Sequence, residues 1–257
     1  MSVPTVVVHR DADILAKAVA ARIITRLVDV QSAKGTASLV LTGGTVGTAT
    51  LAAIAGTPAR DAVDWRRLDI WWGDERFLPD GDPERNETGA RQALLDHVDV
   101  DPERVHVMLG PDSGLTAEES ADAYATELAK AARPEDHGPS PSFDVMLLGM
   151  GPDAHVASLF PGMPALYDTR PVVAVHGSPK PPPTRISLTL PAIQAAREVW
   201  VIAAGAEKAG AVRLALSESG HVQVPAAGAR GRSRTLFLLD RAAAGKIPPG
   251  LGRLASP

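Results

Sequence analysis

The sequence predicts an α/β fold built on a largely parallel sheet, and three observations carry that expectation. Short apolar runs of strand length alternate with segments of helical period along all 257 residues. Apolar residues make up 45% of the chain and aromatics only 4%, so the core is assembled from Val, Leu, Ile and Ala, as between a sheet and its flanking helices. Glycine-rich polar turns follow several strand candidates, where open α/β sheets gather ligands.

Thr5–His9 reads as the first strand. Asp11 then caps a helix whose Ile14/Leu15, Ala18/Val19, Ile23 and Leu27 recur at helical spacing. Ser38–Leu41 is a second strand, leading through Gly43-Gly44 into a helix that reaches about Ile54. Leu68–Trp72 is a third, ended by Gly73-Asp74-Glu75-Arg76, and Val105–Met108 a short fourth. Thr116–Ala132 has a strong helical pattern. The Pro-rich loop Arg133–Ser142 is too short to mark a domain boundary. Phe143–Leu148, apolar but for Asp144, reads as a buried central strand. Further strands are expected near Val172–Val175, Arg185–Leu190, Val199–Ala203 and Thr235–Leu239, with a helix from about Gly205 through Leu216. No internal repeat is visible, and residues 1–257 are expected to form a single domain.

Composition excludes several functions. A net charge of −4 disfavours a nucleic-acid partner, because binding a phosphate backbone needs a basic excess. There is no cysteine, which removes disulfides, thiolate metal sites and cysteine nucleophiles together and fits a reducing compartment. The opening MSVPTVVVHRDAD has no secretory pattern, and the apolar stretch around Val199–Ala206 falls far short of the roughly 18 residues of a membrane span. A soluble, cytoplasmic protein with no membrane contact is expected.

Five polar motifs stand out. In Leu41-Thr42-Gly43-Gly44-Thr45, paired glycines let the backbone approach a ligand, and the free amides of a helix start favour phosphate. Taken alone, an ordinary strand-to-helix turn explains it equally well. Trp72-Gly73-Asp74-Glu75-Arg76, with Arg85-Asn86 downstream, offers Asp, Arg and Asn to a sugar-like substrate; a solvated acidic loop is the plainer explanation. Leu147–Gly162 (LLGMGPDAHVASLFPG) fits the dinucleotide pattern G-x-G-x-x-A at Gly149, Gly151 and Ala154. Pro161-Gly162 stops any following helix within about two turns, whereas a dinucleotide fold needs a full crossover helix. A histidine in such a turn, His155, is better placed for acid–base work. The run Ser178–Arg185 stiffens the approach to Lys180 or Arg185 with prolines, and Lys208 in Gly205-Ala206-Glu207-Lys208 follows another strand. No G-x-S-x-G elbow, no G-x-x-x-x-G-K-[ST] loop and no closely spaced histidine pair is present. Neither a metal nor a cofactor is expected, and water activated by a general base is the simplest hydrolytic option.

Together these segments resemble the 6-phosphogluconolactonase family. The matching stretches are LTGG (Leu41–Gly44), WGDER (Trp72–Arg76) with Asn86, GMGPDAHVASLFPG (Gly149–Gly162), PKPPPTRISLTLP (Pro179–Pro191), GAEKA (Gly205–Ala209) and VPAA (Val224–Ala227), in the family's order. There are departures. The family's S-G-G-S-T-P has Thr42, Val46 and Gly47 in place of Ser, Thr and Pro, and its D-G-H-T appears as Asp153-Ala154-His155-Val156. Ala154 is strained if that position needs a positive φ. The related glucosamine-6-phosphate deaminases read D-G-H-I-A-F-N-E-P, with a carboxylate where this chain has Phe160, so the lactonase is favoured over the deaminase or a sugar-phosphate isomerase. A sugar-phosphate sensor fused to a DNA-binding helix-turn-helix is disfavoured by a chain that begins at once with a strand.

The resemblance implies a three-layer α/β/α, Rossmann-like domain with a mostly parallel sheet. The implied substrate is a small sugar-phosphate lactone, held by a monomer or weak homo-oligomer. The implied roles give the phosphate to the amides of Gly43, Gly44 and Thr45 with Arg185 and Lys208, and include Asn86 in substrate binding. They make His155 the base that activates water, line the lactone end with Asp74 and Arg76, and let Asp153 orient His155.

Overall fold

The computed structural model describes residues 1–217 and 219–255. Its main sheet has seven strands, all parallel: β1 (Pro4–His9), β2 (Ala37–Leu41), β3 (Leu68–Trp72), β5 (Val145–Gly149), β8 (Glu198–Ala203), β9 (Arg234–Asp240) and β10 (Gly252–Leu254). Their order is β10-β1-β9-β8-β5-β2-β3. A second, antiparallel sheet joins β4 (Asp74–Arg76), β7 (Arg185–Leu188) and β6 (Val172–Val175).

Strand period separates two cores. On β5, Val145 and Leu147 face one side while Met146 and Leu148 face the other; on β8, Trp200 and Ile202 oppose Val199 and Val201. The first side packs on α1 (Ala12–Lys34) and α2 (Gly44–Ala55), through Leu15, Val19, Ile23, Leu51 and Ile54. The second is covered by α4 (Ala117–Ala131), α5 (Leu190–Ala195), α6 (Ala209–Ala215) and the small sheet. This is the expected three-layer arrangement.

Helix ends follow their caps. The Asp11 carboxylate accepts from Ile14 N–H at 2.8 Å, and α1 stops at Gly35, whose φ of 81° suits glycine. Thr116 and Glu119 form a reciprocal capping box at α4. The buried Tyr124 of α4 accepts from Trp72 N–H at 2.9 Å and donates to Trp72 C=O at 3.2 Å, closing the end of β3.

Several expectations need correction. Val105–Met108 is not a strand: Val105 makes one bridge to Ile70, His106 N–H donates to Ile70 C=O, and Met108 C=O is taken by Arg85. The strand expected over Phe143–Leu148 begins two residues later, because Phe143 N–H turns back onto Pro141 C=O. β7 stops at Leu188, where Thr189 and Pro191 open α5. The helix expected from Gly205 through Leu216 begins as a 3₁₀ turn at Ala206–Lys208, since Gly205 has φ 100°. In keeping with the rejection of a dinucleotide fold, no helix follows Gly149–Gly151, and the chain runs through turns to Gly162. A helix that was not expected, α3 (Asn86–Ala93), begins where the loop after Arg76 reaches Asn86.

Candidate active site

The carboxyl ends of β2, β5 and β8 meet the small sheet around a cavity of about 280 Å³. Gly43, Gly44, Asp74, Arg76, Asn86, His155, Arg185 and Lys208 all line it. Thr45 lines an adjoining recess of about 190 Å³ that shares Gly43, Gly44 and Lys208. Asp153 stands behind His155.

Each part is fixed by its local chain. β2 delivers the Gly43-Gly44 turn, and α2 starts with no side-chain cap, so its first amides are open to an anion. Gly44 has φ 78°, and a Cβ on Gly43 would run into the Asn86 amide. β4 pairs with β7 so that Asp74 lies opposite Ser187 and Arg76 opposite Arg185. Asn86, the first residue of α3, donates to Asp74 C=O at 2.8 Å and accepts from Arg76 Nη1 at 2.7 Å. Arg76 Nη1 also donates to Glu84 C=O, while its Nε is buried without an acceptor.

Beneath them, Glu75 accepts the N–H groups of Arg76, Asn86 and Glu87, and Arg85 lies 4.0 Å from its carboxylate. Burial pushes Glu75 up to about 7, against the downward pull of Arg85 and those amides. Glu75 therefore acts as the acceptor that starts α3 and places Asn86.

The histidine turn follows β5. Gly151 N–H donates to His155 C=O, Ala154 N–H to Gly151 C=O, and Ala226 N–H to Ala154 C=O, so the VPAA segment pins the turn from outside. A Cβ on Gly151 would strike the His155 ring. Ala154 has φ 66° and Ala157 φ 48°, a region that L-residues occupy at a cost. His155 Nδ1 is 2.5 Å from Asp153 Oδ1, and the Phe160 ring lies 4.6 Å from the imidazole. Burial acts to raise Asp153, but the His155 hydrogen bond and the charges of His155 and Lys180 outweigh it and hold the carboxyl down at about 2. As a carboxylate at neutral pH, Asp153 only accepts, which puts the imidazole proton on Nδ1 and leaves Nε2 as the basic nitrogen.

The prolines were expected to hold Arg185; the relation runs the other way. Arg185 donates from Nε to Pro182 C=O and from Nη2 to Pro181 and Lys180 C=O, gripping residues 178–184 as a strap while the residue lines the cavity. That grip sets Lys180 beside the cavity, 3.9 Å from Asp153. Burial lowers Arg185, and burial followed by the charge of Lys180 lowers Lys208. Two ammonium groups that disfavour each other across a cavity suit an anionic ligand. Sequence reasoning left Lys180 as an alternative to Arg185, and it assigned no role to Glu75, Gly151 or Ser158. Among the described residues no three His, Asp or Glu side chains are grouped to hold a metal ion, and no helix is long and apolar enough to cross a membrane.

Comparison with known proteins adds to this geometry. The family model for glucosamine-6-phosphate isomerases/6-phosphogluconolactonase matches residues 10–238. A 6-phosphogluconolactonase of Streptomyces coelicolor is 64% identical over 251 residues, covering 96% of this chain and 96% of that protein. One from Mycobacterium tuberculosis is 48% identical over 241 residues, covering 93% and 96%. The solved 6-phosphogluconolactonase of Trypanosoma brucei superposes with a TM-score of 0.82 at 31% identity, covering 95% of this chain and 99% of that one.

Proposed function

The chain belongs to the glucosamine-6-phosphate isomerase/6-phosphogluconolactonase family, and we propose that it hydrolyses 6-phospho-D-glucono-1,5-lactone to 6-phosphogluconate with His155 as the general base. The observation that carries the base assignment is the Asp153–His155 pair at 2.5 Å, standing beside a cavity lined by Lys180, Lys208, Arg185 and Arg76. The same reading puts the reaction in the cytoplasm, as the second step of the oxidative pentose phosphate pathway.

The substrate's phosphate is held by the amides of Gly43, Gly44 and Thr45 with Lys208, Lys180 and the free edge of Arg185. This fixes the lactone carbonyl near His155 and Arg76. His155 Nε2 takes a proton from water as its oxygen attacks C1. The oxygen that becomes negative is met by the guanidinium of Arg76, which lines the cavity. The imidazolium, steadied by Asp153, then gives its proton to the ring oxygen as the C1–O5 bond breaks. Asp74 and Asn86 accept and donate to ring hydroxyls.

A deaminase reading calls for the glutamate that those enzymes carry at the position of Phe160, and here that position presents an apolar ring 4.6 Å from the imidazole. The test is direct. The purified protein is assayed for acid release from the phosphorylated lactone, the unphosphorylated lactone and, for ammonia, glucosamine 6-phosphate. Fast turnover of the first alone is expected; ammonia release overturns the reading.

A further inference from the structure

Ser158 lies three residues beyond His155, fully buried, and the mechanism above does not use it. Its Oγ donates to Asp74 Oδ2 at 2.6 Å, and its N–H donates to Ser187 Oγ at 3.1 Å. Ser187 is the ladder partner of Asp74, and its own hydroxyl passes on to Leu188 C=O at 2.9 Å. The histidine turn is thus bonded twice to the β4–β7 pair, once through backbone and once through the carboxylate itself.

A buried hydroxyl must find an acceptor, and local carbonyls usually serve. Here the acceptor is a carboxylate that lines the cavity. The charge-assisted bond holds one oxygen of Asp74 in place. The other, Oδ1, has only a long contact of 3.4 Å with Asn86 Nδ2. One oxygen is fixed and its neighbour retains acceptor capacity, which is the arrangement that reads hydroxyl groups on a ring.

We propose that Ser158 is a positioning residue for substrate recognition: it orients the Asp74 carboxylate toward ring hydroxyls and ties that orientation to the turn carrying His155. The inference rests on the lactonase reading and adds a residue to it. Ser158 touches no substrate atom; it acts through Asp74. Because the carboxylate meets hydroxyls whose own bonds do not change in the reaction, its loss weakens substrate and transition state alike and appears in KM.

The experiment compares Ser158→Ala, Ser158→Cys, Asp74→Ala and the double variant Ser158→Ala/Asp74→Ala. For each, KM and kcat on the lactone, the Kd for 6-phosphogluconate and the melting temperature are measured. The near-isosteric cysteine, a weak donor, supplies the same test if the alanine variant does not fold. Ser158→Ala should raise KM and product Kd about tenfold, with kcat kept within about threefold. On the Asp74→Ala background the serine change should add less than about twofold. Folded Ser158 variants with wild-type KM and product Kd overturn the inference, as does a full effect that persists without Asp74. A wild type inert on the lactone overturns the function and the inference together, so the two failures are distinguishable.

Discussion

Two sides of the cavity are built differently. On the Asp74 side, polar groups are largely spent within the protein: Glu75 holds three amides, Asn86 bridges Asp74 and Arg76, and Ser158 grips the carboxylate. On the His155 side, two alanines sit at positive φ, the imidazole has a single side-chain partner, and Lys180 and Lys208 face the cavity with their hydrogen-bonding capacity largely unused. One side is mostly a finished frame, and the other keeps more of its hydrogen-bonding capacity unused. The difference separates two costs. Damage to the frame should appear first as lost stability, whereas damage to the open side should appear as lost chemistry in a protein that still folds.

The sharpest break of that contrast is His155→Ala. Turnover should fall by roughly 10²–10⁴-fold while the melting temperature stays near wild type; a stopped assay and a thermal melt decide it. The frame gives the opposite outcome. Glu75→Ala strips the acceptor from the start of α3 and leaves Arg85 buried without its carboxylate, so unfolding in denaturant should show a loss of about 3–5 kcal/mol. A stability loss at His155, or none at Glu75, would erase the distinction.

Smaller effects sharpen it. Lys208→Ala should weaken 6-phosphogluconate binding more than tenfold, about the 1.5–3 kcal/mol of a charge-assisted bond to phosphate, with little change in melting. Calorimetric titration reads it directly. Asp153 links the two costs. Its folded-state value, lowered from 3.8 to about 2, means the stability it contributes is fully present above pH about 4 and is lost as pH falls through 2. Asp153 is partly exposed, so solvent screening limits this to about 1–2 kcal/mol. Asp153→Asn should flatten the acid end of the stability curve by that amount. Smallest of all, Ala154→Gly relieves a left-handed alanine but loosens the unfolded chain. The two terms nearly offset, so a gain of no more than about 1 kcal/mol is expected.

Much of this was legible in the sequence, and the limit has a physical form. Strands with continuous or alternating apolar runs, such as β2, β3 and β8, were readable because burial on a sheet dictates their residues. The Gly43-Gly44 turn and the turn that brings His155 to the cavity were readable because tight turns have few substitutes. Val105–Met108 misled because its apolar side chains pack into the core while its backbone goes elsewhere, and periodicity reports only side chains. Arg185 was expected to face a ligand and does line the cavity, but its contacts with three carbonyls of a proline strap follow from folding back, which no local pattern encodes. Ser158 and Glu75 left no signal because their partners, Asp74 and Asn86, are 84 and 11 residues away.

The outer edge of β3 has a consequence beyond the site. Ile70 C=O is taken by His106 N–H, and both backbone groups of Trp72 are occupied by the Tyr124 phenol. Burial raises Tyr124 well above the ordinary phenol range, so the hydroxyl stays protonated and keeps donating across the working pH range. A parallel sheet that ended in bare amides and carbonyls would be a template for another chain, in solution or in an aggregate. Here the template is blocked by the His106 amide and by one side chain from a helix, at the strand whose next residues line the cavity. Resistance to edge-to-edge association and placement of Asp74 therefore depend on the same seat of α4 against the end of β3.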